Sequence, residues 1–244
     1  MIILFSKRHL WMLAFCCYSF IGLAAVLWAG FSLPDTVPVF APAERENLVW
    51  VVDPGHGGED GGAVSPEGVT ESKLNLEIAL RLNDLLRFTG QKTVMTRTED
   101  RSIHTQGDTI RARKASDIRN RVELVNALEN GVLLSIHQNS LPSSPITHGA
   151  QVFWNRQEGG ETLAQALQKA LNDAVNIGNE KNSKRIPDTI YLMKHITPPA
   201  ALIECGFLSN AKETRLLQES SYQIKLAAAV TAGCLRALAG EELP

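Results

Sequence analysis

Two histidines and a glutamate stand where apolar runs of the chain give way to glycine and polar residues. Leu48-Val49-Trp50-Val51-Val52 leads into Asp53-Pro54-Gly55-His56-Gly57-Gly58, Val132-Leu133-Leu134-Ser135-Ile136 into His137-Gln138-Asn139, and Ala200-Ala201-Leu202-Ile203 into Glu204-Cys205-Gly206-Phe207. An apolar, β-branched run that stops at a Pro-Gly turn reads as a buried strand ending at a site. The glycines around His56 remove side-chain bulk, so backbone and ligand can approach closely. In an open α/β sheet, ligands bind outside the carboxyl ends of the strands, so groups delivered there converge although far apart in sequence. Neutral imidazole and carboxylate together form the ligand set of a catalytic zinc. Each residue taken singly has a plainer reading. His56 suits a tight turn, and Glu71, in the first turn of the next helix, suits a carboxylate favouring the helix dipole.

The elements that must position these groups alternate. After a glycine-rich loop from Gly57 to Val69, Thr70-Glu71-Ser72-Lys73 opens a helix with Leu74, Ile78, Leu82 and Leu85 at helical spacing, and Gly90 ends it. Thr93–Thr96 reads as a strand leading into a polar loop from Arg97 to Lys114. A helix is expected from a Ser116 or Asp117 cap to Leu128, with Ile118, Val122 and Val125 inward. The His137 strand, a strand at Gly149–Trp154, a helix at Glu161–Val175, a short strand at Thr189–Met193 and the Glu204 strand follow. The final helix, Tyr222–Leu238, is expected to pack Ile224, Ala228 and Leu235 onto the sheet. The sum is a three-layer α/β single domain with a mixed, mostly parallel sheet flanked by helices.

The 244 residues are 44% hydrophobic and 20% charged, with a net charge of −2, which is enough apolar material for one sizeable core. No basic block is present, and nucleic acid is set aside as a partner. Lys7, Arg8 and His9 close a basic tail (1–9) before an uncharged stretch at 10–33. That stretch exceeds the ~7–15 residues of a signal-peptide core and reaches the ~20 of a spanning helix, so a membrane anchor behind a cytoplasmic tail is expected. Ala41-Pro42-Ala43 keeps a cleaved signal as the alternative. In both cases a Pro-rich linker (34–47) precedes an exported domain at 48–240. Cys205 and Cys234 read as small buried hydrophobes, with a pairing between them left open. His104, His148 and His195 read as solvated loop histidines.

Asp53-Pro54-Gly55-His56-Gly57-Gly58, Glu71 opening the next helix, Ser135-Ile136-His137-Gln138-Asn139 and Glu204-Cys205-Gly206-Phe207-Leu208-Ser209-Asn210 resemble, in order, the motifs of the type-3 amidases, zinc-dependent N-acetylmuramoyl-L-alanine amidases. The resemblance runs from Leu48 to Leu238. It implies zinc (Zn2+) on His56, Glu71 and His137, and Glu204 as catalytic acid/base. The substrate it implies is the peptidoglycan amide between the lactyl group of N-acetylmuramic acid and L-Ala of the stem peptide. The short single-domain layout, Ser116–Val122 and Gly149–Phe153 are most similar to the germination-specific members of spore formers. That implies spore-cortex maturation through muramic-δ-lactam, with the domain facing the cell wall or the forespore intermembrane space. Gln138 and Cys205 depart from residues common in the family. Vegetative wall turnover, a non-catalytic peptidoglycan-binding module and a zinc exopeptidase remain as alternatives, and an activating partner protein is left open. Asp53 is read equally as a partner of a ligand imidazole or as turn chemistry, and Asn139 as a substrate-orienting residue.

Overall fold

The structure, a computed structural model, describes residues 47–240; the expected basic tail, apolar segment and nearly all of the linker lie outside the described residues. Three apolar runs become the central strands. These are β1 (Val49–Pro54), β3 (Gly131–Asn139) and β6 (Ala200–Phe207), with β2 (Lys92–Met95), β4 (Gln151–Trp154) and β5 (Lys184–Arg185) outside them. The order is β2-β1-β3-β6-β4-β5. The first four of these run parallel, while β4 is antiparallel to β6 and β5 parallel to β4, so the sheet is mixed and mostly parallel.

Side chains alternate across the strands. Trp50 and Val52, Val132, Leu134 and Ile136, and Ala201, Ile203 and Cys205 point into a large core. Three helices cover it: α1 (Glu71–Phe88), α3 (Gly160–Ala174) and α6 (Ser220–Ala239). Val51, Leu133, Ala200 and Leu202 point the other way, into a smaller core shared with α2 (Ile110–Asn126) and the short α4 (Tyr191–His195). A seven-residue α5 (Ala211–Leu217) precedes α6. Among the described residues no helix is long and apolar enough to cross a membrane.

The structure corrects three local expectations. Helix α2 starts at Ile110, where Thr109 Oγ1 accepts from the Ala112 N–H at 3.1 Å. Its first turns are polar and exposed, so they lacked the apolar period that marks a helix. Thr189–Met193 is not a strand: Ile190 caps α4, a short apolar run that periodicity cannot assign. The face of α6 is rotated from the expected one. Leu226, Ala227, Val230, Cys234 and Ala237 are buried, whereas Ile224 is half exposed. An alanine-rich helix is weakly amphipathic, and packing against α1 and α3 chose the face. Cys205 and Cys234 are buried free thiols.

Candidate active site

His137 and Glu204 are direct partners across β3 and β6, near the carboxyl ends of both strands, and the ladder becomes irregular immediately beyond His137. His56 follows the end of β1 by two residues in a left-handed backbone conformation, φ 62°. A histidine held there stores about 1–3 kcal/mol of strain. Glu71 is the first residue of α1 and is buried. Its Oε1 lies 2.8 Å from His137 Nδ1 and accepts from the Gln138 N–H at 3.1 Å. Its Oε2 lies 3.3 Å from His56 Nε2 and accepts from the Ala63 N–H at 2.8 Å. The imidazoles meet edge to face, with centroids 5.1 Å apart. One donor atom from each of His56, Glu71 and His137 lies within 4.8 Å of the others.

Glycine makes this convergence feasible. A Cβ on Gly55 would stand 2.3 Å from His137 Nε2, and one on Gly62 would stand 2.5 Å from Glu71 Oε2 and 2.8 Å from His56 Cδ2. The donor set, two imidazoles and a carboxylate in a glycine-lined cradle, fits a zinc ion.

Asp60 was not singled out from the sequence. Its Oδ2 lies 2.9 Å from His56 Nδ1, and its Oδ1 is 2.6 Å from Lys114 Nζ. A carboxylate on one ring nitrogen fixes the tautomer and leaves the other nitrogen as donor. The only sequence signal was its position, four residues after His56 in the glycine-rich loop. Burial alone would lower the pKa of His56, but hydrogen bonds and charge from Asp60 and Glu71 outweigh it and raise it to about 9. Burial likewise opposes ionisation of Glu71, yet the two histidines hold its carboxyl far below the usual range.

Glu204 differs. Its Oε2 is buried without a hydrogen-bond partner. Burial pushes its pKa up to about 7, with His137 and His56 pulling down and the charge of Glu71 pushing up. A carboxyl poised near neutrality suits acid/base work. It borders a pocket of 530 Å³ that runs from His56, Lys114 and Asn139 to Ile190 and Tyr191.

Behind the site lie two buried arginines that sequence reading also missed. Arg121 Nη1 pairs with Asp53 and donates to the Pro54 carbonyl at 3.0 Å, while Nη2 donates to the His56 carbonyl at 2.8 Å. Arg97 donates to the carbonyls of Pro54 (3.0 Å), Gly55 (3.1 Å) and Ser72 (2.9 Å). Asp53 therefore follows neither sequence reading. It takes hydrogen bonds from Thr96 Oγ1 and Ser135 Oγ, both at 2.7 Å, and pairs with Arg121 rather than with an imidazole. Asp117 is not a cap: its Oδ2 accepts from Arg121 Nε at 2.7 Å. Asn139 lines the pocket, and its Oδ1 accepts from the Ser140 N–H at 2.7 Å. His104, His148 and His195 are outside the donor cluster; their Nδ1 atoms contact Ser102 Oγ and the carbonyls of Ile146 and Tyr191.

Comparison with known proteins finds relatives along most of the chain. Over 186 residues the chain is 38% identical to the germination-specific N-acetylmuramoyl-L-alanine amidase of Bacillus subtilis (strain 168), covering 76% of this chain and 77% of that protein. Among solved structures, the CwlD amidase of Clostridioides difficile, determined in complex with the GerS lipoprotein, superposes with a TM-score of 0.76 at 33% identity, covering 80% of this chain and 100% of that one. An N-acetylmuramoyl-L-alanine amidase from Clostridium difficile 630 does so with a TM-score of 0.68 at 28% identity, covering 80% and 98%. Residues 51–236, most of the chain and every strand end described above, match the family described as N-acetylmuramoyl-L-alanine amidase, and the protein belongs to that family of peptidoglycan-cleaving hydrolases.

Proposed function

We propose that the protein is a zinc-dependent amidase of spore-cortex peptidoglycan, with His56, Glu71 and His137 as the metal ligands and Glu204 as the catalytic acid/base. The observation that carries this reading is the contrast between three mutually engaged donor groups and, beside them, a carboxylate with an unpartnered buried oxygen. When bound, zinc supplies Lewis acidity towards the amide carbonyl and towards water. Glu204 accepts the proton of the attacking water on its carboxylate and returns it to the amide nitrogen as the C–N bond breaks. Asp60, on His56 Nδ1, orients that imidazole, and the Ile190 and Tyr191 side of the pocket offers an apolar wall to the substrate. The products are a lactyl carboxylate on muramic acid and a stem peptide with a free L-Ala amine.

The cortex role rests on likeness to the germination-specific relative. Freeing the lactyl group prepares muramic acid for δ-lactam closure after a later deacetylation, and that lactam would mark cortex for germination. We further propose residues 10–33 as a membrane anchor or signal segment that places the domain on the wall side, and an activating partner lipoprotein like the one bound to the CwlD relative. Mass spectrometry of muropeptides after incubation with the purified full-length protein tests the chemistry. The expected products are intact stem peptides; free single amino acids would instead make the protein an exopeptidase, and no products a binding module. Cortex from a deletion strain should lack muramic-δ-lactam, and normal lactam content would move the function to vegetative wall turnover.

A further inference from the structure

His56 occupies a backbone region that L-residues with a Cβ avoid, at φ 62°, and no glycine freedom relieves it. A side chain attached to strained backbone keeps its direction only if the surroundings over-determine the turn. Here they do so through guanidinium groups. The carbonyls of three consecutive residues, Pro54, Gly55 and His56, all accept hydrogen bonds from Arg97 or Arg121. The contact to the His56 carbonyl itself comes from Arg121 Nη2 at 2.8 Å.

Arg121 has the shape this task requires. Its Nε is clipped by Asp117 Oδ2 at 2.7 Å, and its Nη1 reaches both Asp53 and the Pro54 carbonyl. Nη2 is left to meet the carbonyl of His56. The residue is 2% exposed, so its direction is set by these partners rather than by solvent. We propose that Arg121 is a positioning residue for the metal site: by holding the His56 carbonyl it keeps the strained turn in place and aims the imidazole at Glu71 and His137. Its hydrogen bonds go to backbone carbonyls, to the carboxylates of Asp53 and Asp117 and to the Thr96 hydroxyl, and to no side chain of the proposed ligands. The inference rests on the reading of His56 as a metal ligand.

The test is the zinc affinity of the full-length protein, measured by competition with a chromophoric chelator, alongside thermal unfolding. Arg121→Lys keeps a cation for Asp53, but one terminal nitrogen cannot serve Asp117, Asp53 and two carbonyls at once. Its zinc dissociation constant should rise roughly 10–100-fold, the usual effect of losing a group that orients a ligand. Leu167→Ala, a core variant on α3, which packs against α6, β4 and β6, serves as the control for lost stability and should bind zinc as the wild type does. The proposal is overturned if Arg121→Lys binds zinc with wild-type affinity, or if Leu167→Ala weakens zinc as much. Should Arg121→Lys fail to fold, Asp117→Asn decides, since it loosens the clip on Nε while leaving the Asp53 pair. Weaker zinc binding by Asp117→Asn supports positioning, and unchanged binding overturns it. His56→Ala separates the two levels: wild-type zinc affinity in that variant would remove the ligand reading itself, whereas weakened zinc binding there with unchanged binding in Arg121→Lys would sink only the positioning role.

Discussion

The two faces of one sheet differ although the same three strands build both. On the face covered by α1, α3 and α6, the inward residues stay apolar as far as Val52 on β1, Ile136 on β3 and Cys205 on β6; beyond Ile136 the buried Gln138 donates from Nε2 to Asn75 Oδ1 on α1. On the face under α2 they begin apolar, as Val51, Leu133 and Leu202, and then turn to Asp53, Ser135, His137 and Glu204. The two-residue period makes this division possible, because each strand can send packing to one side and chemistry to the other without leaving the sheet. One face therefore holds the fold together, and the carboxyl end of the other spends stability on a site with buried charge and backbone strain. Substitutions on the two faces should accordingly separate stability from chemistry.

The largest effect is expected at the donor cluster. A chelator should abolish amide cleavage and added zinc should restore it, while His137→Ala should lose both bound metal and turnover. Cleavage at the wild-type rate by metal-free protein would break the comparison at its root. Next comes Glu204→Gln, which keeps size but cannot take a proton near neutral pH. It should lose roughly 10²–10⁴ in rate while its zinc content stays at the wild-type level. Loss of zinc in that variant would make Glu204 a ligand instead of the base.

Asp53 lies between the two regimes, since it is buried on the chemical face yet touches no proposed ligand side chain. Burial opposes its charge, but Arg121 and the hydroxyls of Thr96 and Ser135 prevail and its pKa is lowered in the fold. A depressed carboxylate stabilises the fold above its unfolded pKa of about 4, and that stability is lost as pH falls through the folded value. Asp53→Asn should therefore cost up to about 3–5 kcal/mol at neutral pH, because buried Arg121 keeps Asp117 but loses the Asp53 carboxylate. Its unfolding free energy should also fall less steeply than that of the wild type below about pH 4. Denaturant titrations at several pH values measure both, and equal slopes for the two proteins would show that the pair is not what acid disrupts.

On the apolar face the expected effects are on stability alone. Ile203→Ala should cost about 2–5 kcal/mol and leave zinc affinity unchanged, although it neighbours Glu204 in sequence. Cys205→Ala is the mildest, at about 1 kcal/mol, with zinc retained. A change in metal affinity from either would mean that the faces are coupled through the strand, against the division drawn here.

Much of the fold was legible because its signals are local. Apolar runs of strand length, a 3.6-residue period from Leu74 to Leu82 and glycine at position 90 each depend on a few neighbouring residues. Where local composition was ambiguous the reading failed, as with the polar first turns of α2, the short α4 and the alanine-rich α6. The site divides in the same way. His56, His137 and Glu204 stood out because polar groups interrupt strand ends, whereas Glu71, opening a helix, read as a carboxylate favouring the helix dipole until the resemblance to the type-3 amidases implied it as a ligand.

The sequence by itself determined which residues reach the carboxyl ends of the strands and that they include two imidazoles and a carboxylate, since strand alternation is a property of neighbours along the chain. Only the tertiary structure decided what holds them in place. Arg97 opens what reads as a charged, irregular loop and Arg121 lies in an amphipathic helix off its expected apolar positions, yet they are buried against the carbonyls of Pro54, Gly55 and His56, 42 to 67 positions away. A cation can be buried only where acceptors converge on it. That convergence is made by the packing of α2 and the following loop of β2 against the turn at His56, which no pattern along the chain records.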